Sequence, residues 1–568
     1  MKRHPFFLVA GLVLMGTSLI VGSLPSAAGQ SDRVVSGIVV DEGGSPVPEA
    51  VVRIQDTAYM TQTGADGTFV LDLPGDGPYN LTAWASGYYC VGPVEASPGQ
   101  TGVQLVLVAH SAQDNPDYEW LPSQYHPGQG EDQGCSQCHS REGTDITFTL
   151  PVDEWRLDAH SQSAASPRFL TMYAGTDVDG NQSPATRYGY SRDYGRFPLR
   201  PDLTQPYYGP GYKLDFPATA GNCAACHTPV AAVNAPYSTD PTQVSGVGEE
   251  GIACDFCHKV WDVYLNPNTG QPYANMPGVL SLEFRRPPEE HQFFAGPYDD
   301  VAPGEDTYLP LQTQSAFCAA CHFGTFWDTT IYNSFGEWLA SPYSDPDTGK
   351  TCQDCHMPPL GSTRIANTDQ AQARDPATIF SHRMPGAADE DLLQNTAELN
   401  LTAEQKGDQV IVVVEVTNTQ AGHDIPTDSP LRQIFVVVTA TDAQGNALSL
   451  VEGPTLPDWA GDLRDTPGIY FAKILQEIWT EVTPTGAYWN PTRILEDTRL
   501  PALETRTSTY TFAVPAGTGP VTVEARLIFR RAFYDLMQQK GWDAPDILME
   551  QTSAAVPVEE TAGRGVMG

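Results

Sequence analysis

Five copies of the pentapeptide Cys-x-x-Cys-His restrict what this chain can fold into more than any other feature. They lie at Cys135/Cys138/His139, Cys223/Cys226/His227, Cys254/Cys257/His258, Cys318/Cys321/His322 and Cys352/Cys355/His356. At the chain's cysteine and histidine frequencies, chance would produce only about 0.005 copies. The motifs use ten of the eleven cysteines, and only Cys90 lies outside them.

Cys-x-x-Cys-His is the attachment sequence of c-type haem, in which two thiols bind the porphyrin and the adjacent histidine binds the iron. A disulfide framework does not need a histidine after every second cysteine. A zinc site would combine one Cys-x-x-Cys with a second ligand pair at short spacing. Neither alternative explains five identical patterns. The sequence therefore predicts five covalently bound haem c groups, with the histidine of each motif as the proximal iron ligand.

The first 28 residues have the layout of a secretory signal peptide. A basic start at residues 2–4 precedes an apolar run from 5 to 24, and small residues at 26–28 suit cleavage before Gly29. The alternative is an uncleaved anchor, because the apolar run approaches the length that spans a membrane. Export fits the haem motifs, since bacteria attach c-type haem outside the cytoplasm. We expect a periplasmic or extracellular location, including the cell surface, with no membrane span after cleavage.

The net charge of −38 argues against two classes of partner. A strongly acidic chain is repelled by nucleic acid and by anionic membrane surfaces. An acidic surface that meets small or basic redox partners fits instead, as does a surface that is simply well solvated. The sequence therefore predicts redox proteins as partners and leaves the electron donor and acceptor open.

Residues 33–109 have the pattern of a small β-sandwich. Short β-prone runs separated by Gly, Pro and Asp turns cover residues 34–40, 51–54, 68–71 and 103–107. Four motifs add a family resemblance: Gly37-x-Val39, Gly44-x-Pro46-Val47, Asp66-Gly67-x-Phe69 and Gly87-Tyr88. They resemble the carboxypeptidase regulatory-like (transthyretin-like) domain. The resemblance implies a seven-stranded sandwich without catalysis, which would act as a spacer or adhesion module.

A linker at 110–129 leads into a haem region at 130–392, which is rich in Pro, Gly, Tyr and Asp. Five haems would supply the apolar mass that this composition lacks, with short helices and loops wrapped around them. The motif spacing indicates one leading haem and two pairs, the second motif with the third and the fourth with the fifth. A further repeat matches Glu154-Trp155 and His160 with Glu337-Trp338 and Tyr343.

The haem region resembles the multihaem cytochromes of the cytochrome c-554 type. The resemblance rests on the Glu154-Trp155 motif with His160, on the residues 250–259 around the third haem motif, and on the residues 352–358 around the fifth. It covers about residues 130–390. It implies closely stacked haems with two histidine ligands each, and electron transfer. Tyr343 departs from the pattern, because the first copy of the repeat has a histidine at this place.

Residues 393–552 return to β-structure and indicate a second, immunoglobulin-like sandwich. Strong β-prone runs cover residues 409–416, 433–439, 507–512 and 521–527, and a short helix is predicted at 532–540. A tail at 553–568 is small and polar, and we expect it to be disordered. The loop Gly422-His423-Asp424-Ile425-Pro426-Thr427 resembles the Gly-His-x-x-Pro-Thr loop that follows the haem domain in such cytochromes. The resemblance would bring His423 back onto a haem.

Histidines outside the motifs are the candidates for the sixth ligand of each iron. The favoured residues are His160, His382 and His423, followed by His291 and His126, with His110 least favoured because it closes the first domain. Iron with two histidine ligands has no open position and suits electron transfer. The end of the haem chain near Tyr343 is the place where the sequence predicts an unusual ligand or an open iron.

The sequence thus predicts an exported pentahaem c-type cytochrome that carries electrons through mainly bis-histidine haems, and an electron-transfer protein rather than an enzyme. One alternative is a multihaem reductase of a small nitrogen or sulfur oxyanion, which requires one open haem. Another is self-assembly as a subunit of an extracellular filament or cell-surface complex, with the two β-domains as contacts. No residue outside the haem motifs carries a recognisable catalytic signature.

Overall fold

The computed structural model describes residues 33–124, 134–288, 291–301, 305–368 and 371–558. Over these ranges the predicted fold class is confirmed: two β-sandwiches flank a central region of loops and short helices. The predicted signal peptide, His126 and residues 559–568 of the predicted tail lie outside the described residues. None of the helices in the described ranges is long and apolar enough to cross a membrane.

The first sandwich is built from seven strands within residues 33–124. They are β1 (Val34–Asp41), β2 (Val51–Ile54), β3 (Met60–Gln62), β4 (Thr68–Asp72), β5 (Tyr79–Trp84), β6 (Val91–Ala96) and β7 (Val103–Leu107). The sheet orders are β4-β1-β7 and β3-β2-β5-β6, and apolar residues from both sheets form one core. Four of these strands were predicted. β3 is too short to show a periodic pattern, and Gly92-Pro93 interrupts that of β6.

Short helices fill the described parts of the central region. They are α1 (Ser136–His139), α2 (Pro151–Trp155), α3 (Pro167–Ala174), α4 (Tyr212–Asp215), α5 (Ala224–His227), α6 (Pro229–Ala232), α7 (Cys254–Cys257), α8 (Ala316–Ala319), α9 (Ser334–Leu339) and α10 (Cys352–His356). Proline begins α2, α3 and α6, where its missing N–H costs nothing. Gly175 ends α3 in the left-handed conformation at a φ of 78°.

Two-stranded ladders and single 3₁₀ turns complete the central region. The strands pair in sequence order: β8 (Tyr188–Ser191) with β9 (Gly195–Pro198), β10 (Val260–Val263) with β11 (Leu282–Phe284), β12 (Phe294–Gly296) with β13 (Asp306–Tyr308), and β14 (Gly324–Phe326) with β15 (Thr329–Tyr332). The 3₁₀ turns are Gly246–Glu250, Gly278–Ser281, Pro310–Thr313, Pro342–Ser344 and Pro376–Thr378. The region therefore depends on contacts between distant loops rather than on long elements.

The second sandwich follows the short helix α11 (Glu390–Gln394). Its strands are β16 (Ala397–Lys406), β17 (Gln409–Asn418), β18 (Gln433–Thr441), β19 (Leu450–Glu452), β20 (Gly468–Glu477), β21 (Thr492–Asp497), β22 (Thr505–Ala513), β23 (Val521–Arg530) and β24 (Ile547–Val556), with a 3₁₀ segment at Asp458–Leu463 and the helix α12 (Tyr534–Lys540). The sheets have the orders β16-β17-β22-β19 and β21-β20-β18-β23-β24 around a shared apolar core.

The predicted start of the disordered tail at residue 553 is wrong. β24 continues to Val556, which pairs with Val521 of β23, and its side chain is buried. The small residues 553–555 gave a weak strand signal by themselves. Pairing along the whole length of β23 nevertheless includes them, because the ladder satisfies their backbone groups.

Buried charges attach both sandwiches to the central region. At the N-terminal sandwich, the Arg374 guanidinium lies 2.9 Å from Asp56 and 2.7 Å from Asp300, and Arg53 pairs with Asp299 at 2.7 Å. These ion pairs join residues far apart in sequence and are largely buried. Each charged group therefore depends on its partner to offset the free-energy cost of its desolvation.

Lys540, the last residue of α12, inserts its fully buried side chain into the central region. Its Nζ donates hydrogen bonds to the carbonyl oxygens of Thr171 at 3.0 Å, Thr176 at 3.0 Å and Pro210 at 2.6 Å. All three N–H groups of an ammonium can therefore be used. This contact holds α3 of the central region against the C-terminal sandwich.

We expect Lys540→Met to destabilise the protein by roughly 2–5 kcal/mol, because three buried carbonyl groups lose a charged donor. Thermal unfolding followed by circular dichroism measures the effect. The matched control is Lys406→Met, since Lys406 is exposed at the end of β16; its effect should stay within about 0.5 kcal/mol. Equal melting temperatures for the two variants would show that the Lys540 contact does not support the fold.

Candidate functional site

Each of the five motifs forms a single helical turn. The turns are α1, α5, α7, α8 and α10, which cover or adjoin the first to the fifth motif in order. In a helix, residues three and four apart share a face, so the two cysteines and the histidine of a motif point to the same side. All ten motif cysteines are free thiols with some exposed surface, whereas Cys90 is buried. The thiols are therefore available for attachment.

The motif cysteines differ in how much of their surface is exposed. Nine of them are partly buried, whereas Cys138 is exposed. Cys138 stays a predicted attachment residue, as the other nine motif cysteines do.

Thiols from different motifs lie close together in three places. The thiols of Cys135 and Cys254, those of Cys226 and Cys321, and those of Cys318 and Cys352 are near enough to interact. Cys257 of the third motif lies close enough to Cys318 and Cys321 for their charges to interact. The five turns therefore form one continuous cluster, although they span residues 135–356.

Three of the five motif histidines are held by their Nδ1 atoms. They donate to backbone carbonyl oxygens at 2.7 Å: His139 to Ile365, His258 to Ala295 and His356 to Pro385. In these three rings Nε2 is left as the free nitrogen of a neutral ring, which is the usual form of a metal-ligating histidine. Of the other two, His227 accepts the Ser163 hydroxyl at its backbone carbonyl at 2.8 Å, and Nδ1 of His322 lies 3.8 Å from Asp428. The donor set thus fits haem iron.

Burial keeps these rings neutral. It lowers the pKa of His227 to about 4, and it also lowers the pKa of His139, His258 and His322. A neutral imidazole is the form that binds a metal, since protonation would occupy the ligating nitrogen. Within the described ranges, no group of three or more His, Cys, Asp or Glu side chains is arranged to hold a bare metal ion.

Two of the candidate histidines lie opposite motif histidines. The ring centres of His160 and His322 are 6.1 Å apart, and those of His423 and His356 are 6.5 Å apart. Two iron–nitrogen bonds of about 2 Å each, together with two ring radii, separate the centres of axial imidazoles by roughly 6 Å. Both pairs therefore have the spacing of two ligands on one iron.

His382 lies among the histidines of the first and third motifs. Burial is the main cause that lowers the pKa of His382 to about 4, and His258 contributes more than His139. His160, His382 and His423 are also held by hydrogen bonds at their Nδ1 atoms. His160 donates to Asp158 at 2.5 Å, His382 to the Phe380 carbonyl at 3.1 Å, and His423 to the Asp424 carbonyl at 2.9 Å.

The remaining candidates lie elsewhere. His291 is at the surface with Nδ1 3.2 Å from Glu305. His110 is packed among Tyr89, Trp261 and Phe293 at the edge of the first sandwich. His126 is outside the described residues. The structure thus brings His160, His382 and His423 to the motif cluster, and it does not bring His291 or His110 against a motif histidine in the described ranges.

His227 of the second motif has different neighbours. The Phe169 ring stacks on it with centres 3.7 Å apart and an angle of 3°. Burial raises the pKa of Tyr488, and the nearby thiols of Cys223 and Cys226 add to this. The Tyr488 hydroxyl hydrogen bonds to that of Tyr332. In the described part of the chain, no non-motif histidine ring contacts His227.

The Glu-Trp repeat has the same contacts in both copies. The Trp155 indole donates to the Ile252 carbonyl at 2.8 Å, and the Trp338 indole donates to the Lys350 carbonyl at 2.8 Å. Both acceptors stand two residues before the first cysteine of a motif. The same two residues donate their backbone N–H groups to the carbonyls at the sixth position after the glutamate: Ile252 to His160 at 3.0 Å, and Lys350 to Tyr343 at 2.9 Å.

These contacts correct the predicted grouping of the motifs. The structure pairs the first motif with the third and the fourth with the fifth, through the thiol contacts Cys135–Cys254 and Cys318–Cys352. A serine hydroxyl accepts from the later motif in each pair, Ser123 from the Cys254 N–H at 2.9 Å and Ser315 from the Cys352 N–H at 3.0 Å. The second motif is the additional one. The linear spacing misled the prediction because this motif is inserted within the first unit.

The glutamate of each copy holds a loop that carries a non-motif histidine. Glu154 accepts the backbone N–H of His382 at 2.7 Å. Glu337 accepts from the Thr427 hydroxyl and from the Arg499 guanidinium, and Arg499 also pairs with Asp424 at 3.2 Å. Sequence reasoning found both glutamates as part of a repeat but missed this role, because the loops they bind lie far along the chain.

Tyr343 stands at the repeat position of His160 but makes different contacts in the second copy. Its hydroxyl donates to the Thr419 carbonyl at 3.4 Å, and its ring packs against Gly422, where an added Cβ would come within 3.0 Å. In the first copy, the equivalent His160 faces a motif of the second unit. The described chain has no third unit for Tyr343 to face. The predicted open position at this end is not what the geometry favours, because His322 and His356 both have a histidine opposite them.

Comparisons with known proteins add the following. Residues 34–108 match the family model of the carboxypeptidase regulatory-like domain. This confirms the N-terminal resemblance, and the strands β1–β7 are the strands of that domain. None of the curated proteins compared with the chain matches it significantly.

Two solved structures illustrate the similarity to known folds. The chain is similar to a penta-heme cytochrome c552 from Thermochromatium tepidum, with 20% identity and a TM-score of 0.49, over 71% of this chain and 95% of that one. It is also similar to the human F-spondin reeler domain, with 11% identity and a TM-score of 0.13, over 28% of this chain and 88% of that one. Both similarities are distant.

We expect Glu337→Gln to lower the stability of the protein by roughly 2–4 kcal/mol, because Arg499 is left in a buried site with one carboxylate fewer. The side chains of Glu337 and Arg499 are only 4% and 7% exposed. Thermal unfolding measures the change, with Glu452→Gln on an exposed strand as the control. A melting temperature equal to that of the control would mean that Glu337 does not hold the loop.

Proposed function

We propose that this protein is an exported pentahaem c-type cytochrome that transfers electrons. The observation that carries the proposal is the convergence of all five Cys-x-x-Cys-His turns into one cluster, with thiols of different motifs in contact. Haem groups attached to such turns would lie next to one another, as a chain for electron transfer requires. Haem iron with protein ligands changes between the ferric and ferrous states and so takes up and releases single electrons.

The protein's own residues would hold the haems in a defined way. The ten motif cysteines form the covalent attachments, and His139, His227, His258, His322 and His356 are the proximal ligands. We assign His160 as the distal ligand of the fourth haem, His423 of the fifth and His382 of the third. The carbonyl and carboxylate partners of their Nδ1 atoms fix each ring and direct Nε2 to the iron.

This ligation favours a carrier rather than an enzyme. An iron with two imidazole ligands has no free position for a substrate, and the protein's task is then to hold the haems close together and away from water. The partners would be redox proteins that deliver and accept electrons in the periplasm or outside the cell. The N-terminal carboxypeptidase regulatory-like domain would serve as a spacer or attachment module.

The ligand assignment is tested on the purified, haem-loaded protein. Mass spectrometry should find five haems on the chain. In the oxidised state, His160→Ala, His382→Ala and His423→Ala should each convert one haem from low-spin to high-spin in the electron paramagnetic resonance spectrum. His291→Ala is the control and should leave the spectrum unchanged, since His291 lies at the surface against Glu305. A high-spin conversion by the control, with none from the other three, would overturn the assignment.

A second candidate function is reduction of a small nitrogen or sulfur oxyanion at the second haem. The observation that favours it is that no non-motif histidine ring contacts His227 in the described residues, where Phe169 stacks on the ring. Tyr488 of the Tyr332–Tyr488 hydroxyl pair lies near the thiols of the same motif. An iron that lacks a second imidazole keeps a position for a substrate. Paired hydroxyl groups could supply hydrogen bonds to a bound oxygen atom.

Carbon monoxide separates the two functions. If the second haem is open, the reduced wild-type protein should bind carbon monoxide. Removing the second motif by Cys223→Ser with Cys226→Ser should lower this binding by about one equivalent and leave four haems on the chain. Five low-spin haems and no carbon monoxide binding would exclude the reductase and support the carrier.

A further inference from the structure

Three arginines, Arg168, Arg432 and Arg531, come together between the central region and the C-terminal sandwich. Each lies next to a member of one apolar cluster: Arg168 is one turn before Met172 in α3, Arg432 follows Leu431, and Arg531 precedes Ala532. The side chains of Met172 and Leu431 also meet over Gly486, where an added Cβ would come within 3.2 Å and 2.6 Å of them. The backbone of all three arginines therefore lies beside this one cluster.

Their charges act on one another. Burial lowers the pKa of Arg531 to about 9, and repulsion from Arg168 and Arg432 adds to this. Burial likewise lowers the pKa of Arg168, with Arg432 as the neighbouring charge. All three side chains are half-buried. Guanidinium groups stay protonated under nearly all conditions, so the repulsion remains as a cost to the fold.

Within the described residues, a carboxylate offsets this cost at Arg432 but not at Arg168 or Arg531. Arg432 donates to the Thr427 carbonyl at 3.0 Å and lies 3.6 Å from Asp428, which is itself 3.8 Å from His322. In the described residues, no ion pair or hydrogen bond links the side chain of Arg168 or Arg531 to another residue. The chain carries 69 acidic residues against 31 basic ones, so a lack of available acids does not explain the arrangement.

The neighbouring Arg530 shows what this fold normally does with a buried guanidinium. Arg530 pairs with Asp462 and Asp546, both at 2.7 Å, and donates to the Ala460 carbonyl at 2.6 Å. Arg531 follows the last residue of β23, and within the described residues no hydrogen bond or ion pair joins its side chain to these acceptors. Arg531 thus lies with two other cations, and Asp428 is the only carboxylate that forms an ion pair with any of the three arginines in the described residues.

We propose that Arg168, Arg432 and Arg531 bind an anion with a carboxylate-like or oxyanion group. Guanidinium groups bind such planar groups through paired, charge-assisted hydrogen bonds. The site lies beside the second motif, because Phe169, the residue after Arg168, stacks on His227. Two sources share this chemistry: an external oxyanion, or a propionate of one of the haems. The second source depends on the proposed haem content, and the first does not.

The stability of one variant gives the first test. Without a bound anion, Arg531→Gln removes one of three repelling charges, and the melting temperature should rise or stay the same. With a bound anion, the same change removes a favourable contact, and the melting temperature should fall. Arg526→Gln is the control, because Arg526 pairs only with Glu524 on the half-exposed face of β23.

The source of the anion is tested on the same haem-loaded proteins, with sulfate as the external probe at constant ionic strength. If the source is external, sulfate should bind saturably to the wild type in calorimetry, and Arg531→Gln should weaken it roughly tenfold to a hundredfold. If the source is a propionate, sulfate should not bind, and Arg531→Gln should lower the midpoint potential of one haem while the other four stay unchanged.

A third result would overturn the proposal. It is the combination of no sulfate binding, unchanged midpoint potentials, and a melting temperature of Arg531→Gln equal to or above that of the wild type. Arg168→Gln serves as a second variant and should follow Arg531→Gln in every measurement. The haem count, measured separately by mass spectrometry, distinguishes failure of this site from failure of the proposed cytochrome function.

Discussion

The central region depends on the anchoring of turns that are too short to be stable alone. A helix of four or five residues fixes many backbone angles for one or two hydrogen bonds, so it does not persist in water by itself. Each motif turn is such a helix. What holds them in place here is a set of hydrogen bonds from distant residues: the indoles of Trp155 and Trp338, and the carbonyls that accept from the motif histidines.

The same contacts reveal how the haem region is assembled. The region contains two units with the same three parts. Each has a motif turn, a Glu-Trp helix whose glutamate stands 15 residues after the motif histidine (His139 to Glu154 and His322 to Glu337), and a second motif turn. The tryptophan donates to the backbone carbonyl two residues before this second motif. In each unit the glutamate holds a loop with a histidine, His382 in the first and His423 in the second. The first unit directs His160 to the second unit, and the second has Tyr343 in that place. A histidine at position 343 would be directed away from every motif of the described chain, and burying such a polar group without a partner costs free energy.

The two β-sandwiches differ in what they contribute to this cluster. The N-terminal one docks through buried ion pairs at its edge, such as Arg53 with Asp299, and supplies no residue to the motif cluster in the described ranges. The C-terminal one supplies His423, holds it through Arg499, and brings Tyr488 to the second motif. It also brings two of the three clustered arginines. The C-terminal sandwich is therefore part of the site, although its sequence looks like an independent domain.

The sequence alone determined the five Cys-x-x-Cys-His motifs, the Glu-Trp repeat and both sandwiches. These features follow from local spacing: covalent attachment requires two thiols and an imidazole on one turn, and strands show themselves by alternation. Only the tertiary structure decided which motifs pair and which motif each of His160, His382 and His423 approaches. Those outcomes depend on contacts between residues far apart in the chain, and a one-dimensional spacing cannot distinguish an inserted motif from a repeated one.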